Sequence, residues 1–179
     1  EAGGAVNFTA LTSDVDDLAI DTTGDAVTFV DTDGFEVDTV DGLTGIDGST
    51  IVLTATTGGI TVQNTADPSD IDASGSVTLT ADDIELTGTI VASGQTVTLV
   101  PSAAARPIDL GSETVGALSL TDAELDQITA GKLVIGNTAS GAITVSADIS
   151  LANASVPTLR LNTPSTVTGT AGGIAVTNL

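Results

Sequence analysis

The sequence predicts an all-β protein built as a β-solenoid, with one short helix near residues 122–130. Three observations support this prediction. Hydrophobic residues make up 41% of the chain but aromatic residues only 2%, so the apolar material is Val, Ile, Leu and Ala beside abundant Thr, and β-branched residues favour strands. Apolar and polar residues alternate with a period of two in short runs separated by Gly, Asn, Asp or Ser. Two windows also resemble each other, which indicates a degenerate internal repeat.

The predicted strands are short runs with one apolar face, which the alternation assigns to the core. They are AVTFV (26–30), FEVDTV (35–40), TIVLTA (50–55), GITVQN (59–64), SVTLTA (76–81), DIELTG (83–88), TVTLV (96–100), PIDLG (107–111), ALSL (117–120), KLVIG (132–136), AITVSA (142–147), DISLA (148–152), TLRLN (158–162) and GIAVTN (173–178).

The internal repeat favours stacked coils. GSVTLTADDIELTGTI (75–90) aligns with GAITVSADISLANASV (141–156) when one Asp is skipped, and units too small to fold alone must stack on one another. A β-sandwich, which also has short strands and frequent turns, is the alternative. The near absence of aromatic anchors and the uniform Val, Ile and Leu on the inward side favour the solenoid. Coils of roughly 20 residues would give about nine coils, and at ~4.8 Å per coil a rod of about 40 Å.

The segment LTDAELDQITAGK (120–132) breaks the β pattern. Thr121 followed by Glu124 forms a capping box, which marks the start of a helix. Leu125 and Ile128 share one helical face, and Gly131 is expected to stop the helix. The pattern predicts a helix or helical turn over 122–130 that covers the side or the edge of the solenoid.

The chain is predicted to be a single domain, residues 1–179. It contains two degenerate repeat cassettes, about 11–64 and 75–151, followed by C-terminal coils over 152–179. The end of the sequence, GGIAVTNL, has the pattern of another strand, and an end strand exposes unpaired backbone groups. We therefore expect either a longer parent chain or head-to-tail self-association, a contact type that builds open filaments.

Charge and missing residue types exclude several functions. Three basic residues against 24 acids, a net charge of −21, argue against binding to nucleic acids or anionic lipid surfaces. No run approaches the ~18 apolar residues of a membrane span. Without Cys or His, disulfides, thiolate metal sites and His-dependent catalysis are excluded. Acid pairs with a glycosidase-like spacing are many, but there is no Trp or Tyr to form a sugar platform, so we predict that the chain is not an enzyme.

Four successive segments carry a family resemblance: GSVTLTADDIELTGTI, TVTLVPSAAARPIDLG, ALSLTDAELDQITAGKLVIGN and GAITVSADISL. This order resembles a repeat cassette, here Gly75 to Leu151, of filamentous-haemagglutinin-like, β-strand-repeat adhesins, which are very large bacterial surface proteins. Residues 17–64 resemble a second cassette of the same proteins. The resemblance implies a secreted, extracellular or cell-surface right-handed parallel β-helix with a structural or adhesive role, contacts with glycans or host surfaces, and no catalytic residues. The Asn-Pro-Asn-type motifs of the family's secretion domain are absent, which suggests a shaft portion or a relative that assembles differently.

The stretch DTDGFEVDTVDG (31–42) has five carboxylates among its twelve residues. Its alternation places Phe35 and Val37 in the core and Glu36 and Asp38 outside, while DTDG and VDG are expected to be corners. An EF-hand loop is excluded because Gly34 falls at the fourth position counted from Asp31, whereas the loop needs Gly at the sixth position and Glu at the twelfth.

Stacked carboxylates at these corners are the candidate metal site. Like charges ~4 Å apart repel by about 1 kcal/mol even in water, so acids on neighbouring coils either stagger or bind cations, and oxygen ligands suit calcium. The candidate calcium ligands are Asp31, Asp33, Asp38 and Asp41, and separately Asp14, Asp16 and Asp17. The expected function is a structural or adhesive shaft segment or filament subunit of a bacterial surface or matrix fibre; the alternative is a calcium-dependent carbohydrate-binding adhesin module. A solvated acidic face without calcium is the simpler interpretation of the same residues.

Overall fold

The computed structural model describes residues 4–10, 13–22, 24–65, 69–152 and 154–177. The fold is nearly all strand with one short helix, so the all-β prediction is confirmed. The elements are β1 Val6–Phe8, β2 Asp17–Leu18, β3 Ile20–Asp21, β4 Val27–Asp31, β5 Phe35–Val37, β6 Thr39–Val40, β7 Leu43–Thr44, β8 Ile46–Gly48, β9 Ile51–Ala55, β10 Gly59–Val62, β11 Ile71–Ala73, β12 Val77–Ala81, β13 Asp83–Leu86, β14 Ile90–Pro101, β15 Ile108–Leu110, β16 Leu118–Leu120, α1 Asp122–Leu125, β17 Ile128–Ile135, β18 Ile143–Val145, β19 Ile149–Ala152, β20 Leu159–Leu161, β21 Val167–Gly169 and β22 Ile174–Thr177.

Almost all of these strands pair in parallel. The largest sheet is curled and runs in the order β1-β4-β9-β12-β14-β11-β8-β3, with β17 paired to β14 and β20 paired to β17. Two four-stranded sheets have the orders β13-β10-β5-β2 and β16-β15-β18-β21, and β19 pairs with β22. Immunoglobulin-type sandwiches are antiparallel, whereas among the described residues the only antiparallel ladder joins β6 to β7.

The chain returns to pair with itself at a recurring interval. The backbone N–H of Thr56 donates to the carbonyl of Asp31 (2.9 Å), and the side chains of Thr57 and Thr87 each donate to a carbonyl 25 residues earlier in the chain. Near the C-terminus, Thr170 donates to the Val145 carbonyl across the same interval. Between β4, β9 and β12 the interval is longer than the predicted repeat of roughly 20 residues, whereas β12 and β14 match the prediction, with Val77 opposite Val97.

The core consists of aliphatic side chains stacked in register. Strands β4, β9 and β12 share one pattern in which the first, third and fifth side chains are buried. Val27, Ile51 and Val77 face one another across these ladders, and Val97 of β14 continues the column. Each buried methylene contributes about 0.8 kcal/mol, so the repeated inward alternation is the main source of stability.

The predicted helix is confirmed at its start and wrong at its end. Thr121 and Glu124 form the capping box, but α1 ends at Leu125 instead of continuing to residue 130. Ile128 belongs to β17 and lies opposite Ile90. Gly131 is also inside β17, where a Cβ would come 2.6 Å from the backbone of Gly94. This glycine is required for close strand stacking and does not stop a helix.

One part of the stack reverses the order of the chain. Strand β16 pairs in parallel with β15, with Leu118 opposite Ile108, and its Ser119 N–H donates to the Asp83 carboxylate at the start of β13 (3.2 Å). The later strand therefore lies nearer to the earlier part of the stack. We call residues 108–125 (β15, β16 and α1) the insert. Within the described residues no helix is long and apolar enough to cross a membrane.

Candidate functional site: two carboxylate groups

Asp31 is buried and stabilises a turn. One of its carboxylate oxygens accepts the Val15 N–H (3.1 Å), and the other accepts the N–H groups of Asp33 (3.1 Å) and Gly34 (3.2 Å). The side chain has no exposed surface. Both oxygens are therefore engaged by the backbone of the corner, which gives this residue a structural role whatever else it binds.

Asp33 lies on the solvent side of the same corner. Its pKa is raised, first by the nearby Asp14 carboxylate and then by desolvation and by Asp31. Asp14 and Asp33, which the sequence placed in separate candidate sets, are thus electrostatic neighbours. The next corner packs against this one so closely that a Cβ on Gly58, whose φ is +72°, would overlap the carbonyl oxygen of Asp33.

Asp38 meets two other carboxylates in what we call the exposed acidic group, Asp17, Glu36 and Asp38. Oxygens of the three side chains lie within 4.8 Å of one another, because β2 pairs with β5 and places Asp17 opposite Glu36. Glu36 accepts a hydrogen bond from the Gln63 amide (2.7 Å) and Asp38 accepts the Thr39 N–H (2.7 Å). Their remaining oxygens form an all-oxygen set that suits calcium.

Asp41 lies at a hairpin turn. Its φ is +51° and that of Gly42 is +87°, and Val40 pairs with Leu43 across the antiparallel ladder. Asp-Gly between paired residues with both φ values positive is a two-residue type I′ hairpin turn. The exposed Asp41 is therefore held by local turn geometry, where sequence reasoning had expected a coil corner.

The structure thus brings only part of the predicted calcium set together. Asp38 joins Asp17, from the second candidate set, and Glu36, which the sequence had placed on the exterior without assigning it a role. Asp31, Asp33 and Asp41 belong to neither group of three close carboxylates found among the described residues. Calcium binding remains a prediction, with Asp17, Glu36 and Asp38 as the close carboxylates.

The second cluster, which we call the insert acidic group, is Glu85, Glu113 and Glu124, whose oxygens also lie within 4.8 Å. Desolvation raises the pKa of Glu113 to about 6, with further contributions from Glu124, Asp83 and Glu85. The pKa of Glu85 is raised by desolvation and by Glu124 and Asp83. The nearby Arg106 forms an ion pair with Asp82 (3.5 Å).

Glu124 is the buried member of this group and its oxygens are occupied. One accepts the Leu86 N–H at the end of β13 (3.1 Å), and the other accepts the Thr121 N–H (2.7 Å) and hydroxyl (2.8 Å). On the other side of α1, Asp122 accepts the Ser150 N–H of β19 (2.6 Å). The helix therefore lies between two strands, and its carboxylates replace the carbonyl acceptors that a neighbouring strand would supply.

A third acidic feature is a column on the large sheet. Asp21, Asp47 and Asp72 face one another in register across β3, β8 and β11. Strand spacing places successive members ~4.8 Å apart, so this face carries concentrated negative charge. Sequence reasoning placed each residue in a polar position but had no means of aligning the three.

Comparison with protein-family models, with curated proteins and with solved structures found no match to this chain. The resemblance to β-strand-repeat adhesins therefore remains an expectation from the residues that carry it.

Proposed function

We propose that the chain is a non-catalytic, structural or adhesive shaft segment of an extracellular bacterial fibre or surface protein, wound as a right-handed parallel β-helix. The observation that carries the proposal is the in-register parallel stacking of β4, β9, β12 and β14. The recurring 25-residue interval supports the same interpretation. Stacking of this kind spreads load over many backbone hydrogen bonds.

The distribution of charge suits a shaft. A net charge of −21 keeps separate rods soluble and opposes unwanted lateral association. Strands at both ends of the described stack have one free side: β1, β2 and β3 at the beginning, and β20, β21 and β22 at the end. In our proposal these edges continue into further coils of a longer chain or meet a second copy head to tail.

Deletion of one whole repeat tests the β-helical part of this proposal. Val27 and Val77 both pair with Ile51, and β5 and β13 both pair with β10. Removal of residues 51–76 therefore brings matching strands into register. We expect a protein with an unchanged β-type circular dichroism spectrum and cooperative unfolding. Removal of residues 51–62, which deletes β9 and β10 but leaves β11, serves as the control and should not fold.

Failure of both deletions to fold would contradict coil-wise stacking. Electron microscopy of concentrated protein then separates the two forms of the shaft proposal. Filaments support head-to-tail assembly, whereas discrete short rods at high concentration exclude a filament subunit and leave a segment of a longer shaft. Adhesion is tested by the retention of protein-coated beads on bacterial and host-cell surfaces relative to uncoated beads.

The exposed acidic group favours a second candidate, a calcium-dependent carbohydrate-binding module. Asp17, Glu36 and Asp38 offer several carboxylate oxygens at one place, and calcium bound there would present free coordination positions to sugar hydroxyls. A glycan array probed with calcium and with chelator tests this function. Binding that disappears with chelator supports it, and an array without hits in calcium contradicts it.

A further inference from the structure

One region of the outer surface of the large sheet is uncharged in a protein with a net charge of −21. It consists of the outward side chains of β4, β9, β12 and the second half of β14. These residues are small and β-branched, and each is half-buried on the outer surface of the sheet. We call them the neutral face: Thr28, Val30, Val52, Thr54, Thr78, Thr80 and Thr98.

The neutral face is a regular two-dimensional array. Thr28, Val52, Thr78 and Thr98 lie opposite one another in one column, and Val30, Thr54 and Thr80 form a second. Neighbours in a column are ~4.7–4.9 Å apart, and the columns are about 6.7 Å apart along each strand. Because β-branched side chains are stiff at χ1, the hydroxyl and methyl groups are ordered before any ligand binds.

Charge is confined to other faces. The outward column of β3, β8 and β11 is Asp21, Asp47 and Asp72, and β5 and β13 direct Glu36 and Glu85 outward. Beyond the neutral face lies β17, in which Val134 is opposite Thr98 and the charged Lys132 is opposite Thr96. A surface that excludes charge in so acidic a chain is suited to a partner that is itself uncharged and periodic in two dimensions.

We propose that the neutral face binds ice, by matching its columns of hydroxyl and methyl groups to a crystal plane. The two repeat distances of the array are close to those of oxygen atoms in the prism plane of hexagonal ice. Threonine hydroxyls extend the hydrogen-bonded lattice, and the methyl groups between them order the adjoining water. The proposal depends only on strand register, so it holds whether or not the chain is part of a shaft.

Two other occupants fit the face less well. A crystalline polysaccharide is usually held by aromatic platforms, and the chain has no Trp or Tyr, while Phe29 and Phe35 are buried in the core. A second copy would bring two chains of charge −21 together over a small area, and like net charges repel. Ice is uncharged and periodic, as the face requires.

The test compares the protein with two lysine variants. Thr78→Lys places a long charged side chain at the centre of the neutral face. Thr61→Lys is the matched control, since Thr61 is an outward threonine of β10 that lies between Glu36 and Glu85. Each protein is frozen slowly for ice-affinity partitioning and measured for thermal hysteresis by nanolitre osmometry, with thermal unfolding as the check on folding.

We expect the unaltered protein and Thr61→Lys to be enriched in the ice fraction and to shape ice crystals. Thr78→Lys should lose several-fold of its thermal hysteresis while unfolding at a similar temperature. Thr54→Lys is the replacement variant for the case in which Thr78→Lys does not fold. An unaltered protein that stays in the liquid fraction, or equal losses in Thr61→Lys and Thr78→Lys, would overturn the proposal.

Two further results would assign the neutral face to another partner and would therefore overturn the ice-binding proposal. One is retention on crystalline cellulose or chitin that depends on Thr78. The other is a dimer in sedimentation that Thr78→Lys dissociates while the unaltered protein gives no thermal hysteresis.

Discussion

Buried backbone groups are paired in different ways in two regions of the molecule. One region is the regular stack of β4, β9, β12 and β14, and the other is the insert, residues 108–125. In the regular stack each strand meets another strand on both sides, so backbone groups pair with backbone groups. Inward side chains such as Leu53 and Leu79 are apolar and buried, and Asp31 at the end of β4 is the one buried carboxylate described among them. In the insert, the ladder is interrupted by a helix and a reversed strand order. Buried polar residues appear there, Asp109, Ser119 and Glu124.

Those polar residues supply the acceptors and donors that missing strands would have provided. Asp109 accepts hydrogen bonds from the hydroxyls of Thr114 and Ser146, and Ser119 both donates to and accepts from the backbone of Thr114. Buried polar groups must be paired to avoid a large desolvation cost. Stability therefore comes mainly from shape and apolar area in the regular stack, and from complete hydrogen bonding of buried polar groups in the insert.

The largest expected effect is a cavity in the regular stack. Leu79→Ala removes a buried side chain between two neighbouring strands, and substitutions of this type cost about 3–5 kcal/mol. Leu161→Ala, on the partly buried end strand β20, is the control and should cost about 1 kcal/mol. Denaturant unfolding measures both, and equal losses would contradict the view that the interior strands hold the fold.

The next effect is the loss of an acceptor in the insert. Glu124→Ala leaves the N–H groups of Leu86 and Thr121 without their partners, which should cost about 3 kcal/mol of unfolding free energy. Glu124→Gln retains an acceptor oxygen and should cost less. Glu85→Ala, in the same acidic group but exposed, should not destabilise the protein, and a loss as large as that of Glu124→Ala would show that charge matters more than hydrogen bonding.

Calcium is expected to distinguish the two carboxylate groups. In the exposed acidic group Asp17, Glu36 and Asp38 face solvent, whereas Glu124 of the insert acidic group is already occupied by donors. A calcium concentration 100-fold above the dissociation constant stabilises a folded protein by about 2.7 kcal/mol. We therefore expect calcium to raise the melting temperature by several degrees, and chelator to reverse it.

Asp38→Asn should reduce this calcium response and Glu113→Gln should leave it unchanged, as measured by differential scanning calorimetry. A melting temperature that is the same with calcium and with chelator would show the calcium prediction to be wrong. A response lost in Glu113→Gln would instead place the ion at the insert.

The smallest expected effect is the pH response of the insert. The pKa of Glu113 rises from an ordinary value of 4.5 to about 6 on folding, so the folded protein binds this proton more tightly than the unfolded chain. Stability contributed by the proton is therefore present at low pH and is lost as pH rises from about 4.5 through about 6. Because Glu113 is largely exposed, solvent screening limits the change in melting temperature to about a degree.

Glu113→Gln should remove this part of the pH dependence. The measurement is the difference in melting temperature between the unaltered protein and the variant at about pH 5 and about pH 7, since general repulsion among the acids affects both alike. The variant should be the more stable at the higher pH. A constant difference between the two proteins at both pH values would contradict the assignment of the titration to Glu113.

Much of the local structure could be predicted from the sequence. Alternation in AVTFV, TIVLTA and SVTLTA gave the correct buried faces of β4, β9 and β12, because each strand's pattern follows from its own pleat. The capping box gave the start of α1 for the same local reason. The two similar windows misled at the next level: β12 and β18 occupy different sheets, so likeness of sequence did not mean the same place in the stack.

For the candidate site, the sequence predicted the type of ligand, carboxylate oxygens, but not which carboxylates lie close together. Asp38 was expected to face outward and does so, but its partners Asp17 and Glu36 come from ladder pairing between β2 and β5, which no local pattern encodes. Asp31 was expected at a solvent-facing corner and is buried, because three backbone N–H groups converge on it. The occupancy of Glu124 likewise depends on Leu86, which lies 38 residues away along the chain.

The sequence by itself determined that this chain forms short strands with a Val, Ile and Leu interior, begins a helix at Thr121, carries a charge of −21 and lacks His and Cys. The tertiary structure alone decided which strands meet, and hence which carboxylates gather and which threonines align into a neutral face. The physical reason is that a strand's period of two fixes the side on which each residue lies, whereas register depends on connections of variable length between strands. Only the packed fold selects one register, by burying every inward side chain at once.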